Sequence, residues 1–252
     1  MKQNPSISII TVTYNCAATL ERTLHSIETQ TFTHFEHLII DGASTDATVA
    51  LAQAYRQRNP HLDITLQSEP DHGLYDAMNK GIRLAKGDFI VFLNAGDKLH
   101  SDDVLARVAA CDAAKTGIVY GETDIVDGEG RFLRHRRLSA PERLTSRSFL
   151  RGMLVCHQSF YANRRVVQSY DLQYKYSADV DWCIRAMKAC EAEGLGMVNL
   201  HAVLTDYLSE GMTTQHQRAS LLERFHVMRR HYGLCATLCA HLYIIGRSVV
   251  KK

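Results

Sequence analysis

The chain has 252 residues, 46% of them hydrophobic and 22% charged, which suits one large folded domain with a substantial core. Its formal net charge of +2 excludes a basic nucleic-acid-binding surface spread over the whole chain. Four prolines and no low-complexity tract leave no place for long disordered linkers.

Ile7 to Val12 is an apolar run of the kind that forms a strand buried on both faces. Leu20, Leu24 and Ile27 then share one helical face. Leu38 to Ile40 predicts a second strand, and Gly42-Ala43-Ser44-Thr45-Asp46 turns into a helix through Val49, Leu51 and Ala54. Ile64 to Leu66 predicts a third strand. A helix is expected from near Gly73 to Gly87, with Leu74, Met78, Ile82 and Ala85 on its apolar side. Phe89 to Leu93 and Ile118 to Tyr120 read as the fourth and fifth strands. Strands alternating with helices of this length indicate an α/β fold with a mainly parallel sheet.

The second half is less regular. An Asp127-Gly128-Glu129-Gly130 turn joins two short strand patterns, and Val180 to Ala192 predicts a helix. The tail is helical in pattern from Leu221. Its apolar stretch from Tyr232 to Val250 is broken by His241, Gly246 and Arg247, short of the roughly 20 clean residues of a spanning helix. It is expected either to lie on an anionic membrane surface, with Lys251 and Lys252 at the headgroups, or to pack on the body or on a second copy. We therefore expect a catalytic domain over 1–220, divided near 120, followed by a helical appendage over 221–252. Arg131, Arg134, Arg136, Arg137, Arg143, Arg147 and Arg151 face a single acid, Glu142, and form either a solvated face or a phosphate-binding patch. Seven cysteines without paired or metal-ligand spacing, and a strand that starts almost at the N-terminus, imply reduced thiols and no targeting peptide. The expected place is the cytoplasm, at or near the inner face of the membrane.

In parallel sheets ligands bind beyond the carboxyl ends of the strands. Polar residues gather there: Thr13-Tyr14-Asn15, Asp41, Glu69 with Asp71, and Asn94 with Asp97. No Gly-x-Gly-x-x-Gly follows the first strand and no phosphate-loop Lys-Ser/Thr motif is present. A carboxylate-rich site facing a diphosphate needs a hard cation, Mg²⁺ or Mn²⁺, between the two. Asp97 is the leading ligand for it and Asn94 a weaker one, although the same residues also suit a helix-capping turn.

Several stretches together resemble the family 2 glycosyltransferases of the GT-A fold, in particular bacterial polysaccharide enzymes of the colanic-acid type. They are Ile9 to Asn15, Ile39 to Asp46, Ser68 to Gly81, Phe92 to Asp97, Val155 to Tyr161 and Tyr176 to Trp182. The resemblance implies a nucleotide-diphospho-sugar donor, UDP-linked by preference, and an acceptor on a glycan or polyprenyl-diphosphate-linked oligosaccharide of the bacterial envelope.

By position it places Thr13, Tyr14 and Asn15 at the nucleoside, and Asp41 at the base imide. Asp71 would stand near base or ribose, Asn79 and Lys80 on the helix lining the donor pocket, and Asp97 at the metal. Where the family carries further aspartates, this chain has Asn94 and Gly96, so the metal requirement is weakened. Asp179 matches the family's general base, with Asp181 and Trp182 in support. An ordinary Asp pKa near 3.9 is low for a base, so burial or Asp181 is expected to raise it. His157 is either a structural histidine or a catalytic contact to phosphate or acceptor. His216 matches a mobile loop that could reach the diphosphate and its metal. Rival readings are a transferase to polyprenyl phosphate, a nonenzymatic nucleotide-sugar binder, and a nucleotidyltransferase.

Overall fold

A computed structural model describes the backbone of residues 6–209 and 217–250, and their side chains except 217, 218 and 243–250. The first half alternates as the pattern predicts. It comprises β1 (Ile7–Thr13), α1 (Ala17–Glu28), β2 (Phe35–Asp41), α2 (Thr48–Arg58), β3 (Asp63–Ser68), α3 (Leu74–Leu84) and β4 (Phe89–Phe92). Every residue of β1, β2 and β4 is buried, so these runs are largely apolar rather than alternating, and the polar Ser8, Glu36, Thr11 and His37 inside them pair with each other across the strands. The remaining elements are β5 (Lys98–Leu99), α4 (Val104–Ala109), β6 (Thr116–Val126), β7 (Phe132–His135), β8 (Phe160–Asn163), α5 (Ala178–Glu193), β9 (Gly196–Leu208), α6 (Gln217–Tyr232) and α7 (Leu234–Val250). The strand expected at Ile118 to Tyr120 is the middle of the longer β6, and the two-residue β5 is too short to show a period.

The strands form one sheet in the order β3-β2-β1-β4-β8-β6-β9-β5, with β7 on the outer part of β6. The expectation of a mainly parallel sheet is met in β1 to β4 and again where β6 and β9 run side by side. Beyond β4, β8 is antiparallel to both neighbours, β9 is parallel to β6, and β5 and β7 are antiparallel to theirs. The alternation of strand and helix that enforces parallel crossovers ends at β4, so the second half is free to reverse.

The tail packs on the body. Val227 and Met228 of α6 are buried, and the Glu223 carboxylate accepts hydrogen bonds from the amides of Lys175, Tyr176 and Ser177 at 2.7–2.8 Å. That places a negative charge at the N-terminus of α5, where the helix dipole favours it. No helix among the described residues is long and apolar enough to cross a membrane.

Candidate active site

Because β1 to β4 are parallel, their carboxyl ends share one edge, and the first group of residues converges there. Asp41, at the end of β2, accepts from the Thr13 hydroxyl at 2.9 Å, the Ser44 hydroxyl at 2.5 Å, the Ser44 amide at 2.9 Å and the Ser68 hydroxyl at 2.7 Å. Burial opposes its charge, but these donors outweigh it and hold the pKa below the ordinary carboxylate value. With two donors on each oxygen, Asp41 is a strut between three strand ends. Asn15, at φ 47°, braces the same loops, donating its amide to Ser44 and accepting from the Thr45 amide, both at 2.8 Å.

Above the strut lies an open face. Tyr14 is 67% exposed. A Cβ on Gly42 would meet Asp71 Oδ2 at 2.4 Å and the Tyr14 ring at 3.4 Å, so only glycine lets Asp71 settle there. Lys80 reaches Glu69 at 2.9 Å and the Pro70 carbonyl at 2.7 Å, holding the loop that carries Asp71. Asn79 departs from its expected place in the donor pocket. It is buried, donating to the Tyr170 carbonyl at 3.0 Å and accepting from the Tyr170 amide at 2.6 Å, which leaves it no free end.

A second group gathers after β4. Thr23 of α1 accepts from the Gly96 amide and donates to the Asp97 carbonyl, which fixes the turn. Gly96 has φ 100°, and a Cβ there would stand 2.8 Å from Leu208 Cδ2. Backbone and space together exclude a side chain, which accounts physically for the glycine where the family carries an aspartate. The buried Asp97 accepts from the Leu208 amide and the Gln158 side chain, both at 2.9 Å, yet burial still pushes its pKa up to about 6.

Asp179 stands in the first turn of α5. Its Oδ1 accepts from the Val180 amide at 2.9 Å and the Tyr75 hydroxyl at 3.4 Å, and its Oδ2 lies 3.5 Å from His157 Nδ1. His157 Nε2 is in turn 3.5 Å from Asn94 Nδ2. The Asn94 Oδ1 is buried without a partner. Tyr75 is held by ring stacking on Tyr170 at 5.1 Å, and Tyr170 by Trp182 at 5.3 Å, so Trp182 supports the carboxylate indirectly. The expected upward shift of Asp179 is reversed. Burial does raise its pKa, but the His157 hydrogen bond and charge, with Arg224, bring the net value below the ordinary one.

Asp181 does not take part. Its side chain is 1% exposed and pairs with Arg185 Nε and His231 Nε2, both at 2.7 Å. Residues two apart on a helix do not face each other, so it cannot tune Asp179 as expected. Nothing in the sequence singles out Tyr75 or Arg224, which both lie near Asp179. Tyr75 lay inside a matching stretch, whereas Arg224, half-buried with its Nε covered and unpartnered, comes from a tail that carried no such signal. Of the basic run, Arg136 turns inward onto the carbonyls of Met153 and Leu154, and Arg131 pairs with Asp127 and Glu129. His216 lies outside the described residues.

The raised Asp97 pKa has a measurable consequence. A folded-state value above the unfolded one favours folding fully below pH about 3.9 and loses that contribution as pH rises through about 6. Between about pH 4 and pH 6, wild-type stability should therefore fall relative to Asp97→Asn, by on the order of 2–3 kcal/mol, in denaturant melts at each pH. Parallel stability curves for the two proteins would contradict it.

Residues 8–170 match the glycosyl transferase family 2 description. The uncharacterized glycosyltransferase Rv1514c of Mycobacterium tuberculosis (strain ATCC 25618 / H37Rv) is 31% identical over 258 residues, covering 98% of this chain and 93% of that protein. Among solved structures, S. aureus TarS 1-349 in complex with UDP-GlcNAc superimposes with a TM-score of 0.68 at 18% identity, over 89% of this chain and 64% of that one. The mannosyltransferase PcManGT of Pyrobaculum calidifontis, in complex with GDP-Man and Mn²⁺, does so with a TM-score of 0.65 at 21% identity, over 96% and 71%. At such identities the structures establish the GT-A fold alone, while the sequence match goes further: the chain is a glycosyltransferase and belongs to glycosyl transferase family 2.

Proposed function

We propose that the chain transfers a sugar, with inversion, from a nucleotide diphosphate donor to a hydroxyl of a glycan or lipid-linked oligosaccharide in bacterial envelope polysaccharide synthesis. One observation carries the reading. The Asp179 carboxylate and the Asn94–Asp97 turn, 85 residues apart in the chain, are joined through His157 at 3.5 Å on either side. The carboxylate proposed as base and the turn proposed to hold the donor thus flank one imidazole.

Tyr14 and Asp71 form the open face for the nucleoside, with UDP the preferred base carrier. Asp41 and Asn15 keep that face in shape. Asp179 takes the proton of the acceptor hydroxyl as its oxygen attacks the anomeric carbon. The leaving diphosphate departs on the opposite side, and one displacement inverts the carbon.

A divalent Mg²⁺ or Mn²⁺ would stabilise charge on the leaving diphosphate. The residues fit such an ion in the company of the donor: the orphaned Asn94 Oδ1 offers a neutral oxygen and Asp97 a single carboxylate. That set is short for a resident metal and ordinary for one that arrives with phosphate oxygens. An acceptor at a membrane is supported by the exposed Leu234, Leu238 and Leu242, spaced four apart on α7, beside exposed Leu221 and Leu222 of α6.

The test is a transfer and donor-hydrolysis screen over UDP- and GDP-sugars with Mg²⁺, Mn²⁺ or chelator, beside Asp97→Ala and Asp179→Ala. We expect a UDP-sugar donor, an inverted product, loss of rate in chelator, and loss of transfer in both variants. Full activity in both variants would sink the mechanism. A product on lipid phosphate, rather than on a glycosylated lipid, would replace the acceptor.

A further inference from the structure

Four neighbouring strands set a row of ionisable side chains across one face of the sheet. In register, His135 of β7 stands beside Asp124 of β6, Asp124 beside Asp206 of β9, and Asp206 beside Lys98 of β5. His100, two residues past Lys98, closes the group. His135 Nδ1 lies 2.8 Å from Asp124 Oδ1, His100 Nδ1 lies 2.6 Å from Asp206 Oδ1, and Lys98 Nζ lies 2.9 Å from Asp206 Oδ2. The ligand atoms of His100, Asp124 and Asp206 all fall within 4.8 Å of one another.

The row is electrostatically awkward as it stands. Asp124 and Asp206 have side chains 8% and 7% exposed and sit directly opposite each other in a parallel pair. Like charges in cross-strand register are destabilising, and burial sharpens the repulsion. Lys98 offsets one carboxylate. Among the described residues Asp124 has no lysine or arginine against it, and its imidazole neighbour is His135. A divalent cation between the two carboxylates removes the conflict.

This group shares no residue with the candidate active site. One position earlier on the same strands, Thr123 meets the Ser159 hydroxyl at 2.7 Å and Thr205 donates to the Gln158 carbonyl at 2.8 Å. Side chains alternate across a sheet, so Asp124 and Asp206 point away from the turn that carries His157.

We propose that His100, Asp124 and Asp206 form a three-ligand structural site for a borderline divalent ion, Zn²⁺ by preference, with water completing its shell. An imidazole beside two carboxylates suits Zn²⁺, whereas Mg²⁺ wants an all-oxygen shell. Lys98, 32% exposed at its side chain, turns to solvent and frees Asp206 Oδ2 when the ion enters. The ion ties β5 to β9 and β6. β5 follows directly on Asp97, and β9 ends at Leu208, whose amide holds the Asp97 carboxylate. Bracing those two strands therefore fixes the turn of the donor site without touching the donor.

The experiment uses the tag-free full chain, stripped with chelator, titrated calorimetrically with ZnCl₂ in the absence of any nucleotide. Visible absorption of the Co²⁺-loaded protein reports the coordination. We expect one ion per chain, a Tm that rises with Zn²⁺ concentration, and at least about tenfold weaker binding in both His100→Ala and Asp206→Asn. His100 is 40% exposed at its side chain, so its replacement tests the ligand and leaves the fold in place. Asp179→Asn should bind Zn²⁺ as the wild type does. No binding by the stripped chain, undiminished binding by both ligand variants, or binding lost in Asp179→Asn would each overturn the proposal.

Discussion

Asp179→Asn should lower kcat by about 10²–10⁴-fold while donor affinity stays within a few-fold of wild type, the range general-base catalysis supplies. The amide keeps the shape of the side chain and can still accept from the Val180 amide and the Tyr75 hydroxyl, which now hold Oδ1 at 2.9 and 3.4 Å. What it loses is the ability to take a proton. Single-turnover transfer, measured beside equilibrium binding of the nucleotide, separates the two. A variant with wild-type kcat would remove the base from the reaction; one that loses donor binding would make Asp179 a pocket wall.

The pH dependence sharpens the same claim. His157 and Arg224 hold the Asp179 pKa below its ordinary value against the effect of burial. As the proposed base, Asp179 is therefore ionised throughout the neutral range, and the acid limb of kcat/KM should lie below that of an ordinary carboxylate. In His157→Ala the burial is unopposed by its nearest partner, so that limb should move up, toward neutrality. A low pKa also makes a weaker base. Substrate entry that excludes the remaining water would push it back up, and the acceptor hydroxyl would then meet a carboxylate better matched to its task.

How much of this was legible in the sequence depended on how local the cause was. The first four strands announce themselves because each is an apolar run ended by a polar turn. Their parallel order then places Thr13, Asp41, Asp71 and Asn94 at one edge without further information. The glycine at 96 could be read as a missing ligand but not as a steric necessity, since Leu208 comes from a strand more than a hundred residues away. Asn79 misled for the opposite reason. A polar residue in a matching helix looks like a ligand contact until its partner, the Tyr170 backbone, is in view. The tail was least legible of all. Nothing in its pattern says that Glu223 caps α5 or that Arg224 lies near the base, because both depend on where a later helix docks.

That docking gives the second large expectation. Asp181→Ala should destabilise the protein by about 1–3 kcal/mol, the usual cost of removing a buried, charge-assisted hydrogen-bond acceptor when Arg185 keeps its Gln168 and Ser169 partners. Asp181 is fully buried and sits between Arg185, one turn ahead on α5, and His231 near the end of α6. Removing it breaks a helix's own pair and the pin between two helices together. Burial opposes the charge of Asp181, but the hydrogen bonds from His231 and Arg185 prevail and hold its pKa below the ordinary value. Its stabilising contribution is accordingly present above pH about 3.9 and is lost as pH falls through the lower folded value. Denaturant melts should show the wild type losing stability in acid where Asp181→Ala has none of this term left to lose. The effect on chemistry should be small by comparison, with kcat/KM per folded molecule within a few-fold, since the carboxylate points away from Asp179. A variant that melts like the wild type yet transfers no sugar would return Asp181 to the reaction. A variant that loses both would show that α6, through its hold on α5, is part of what keeps the base in place.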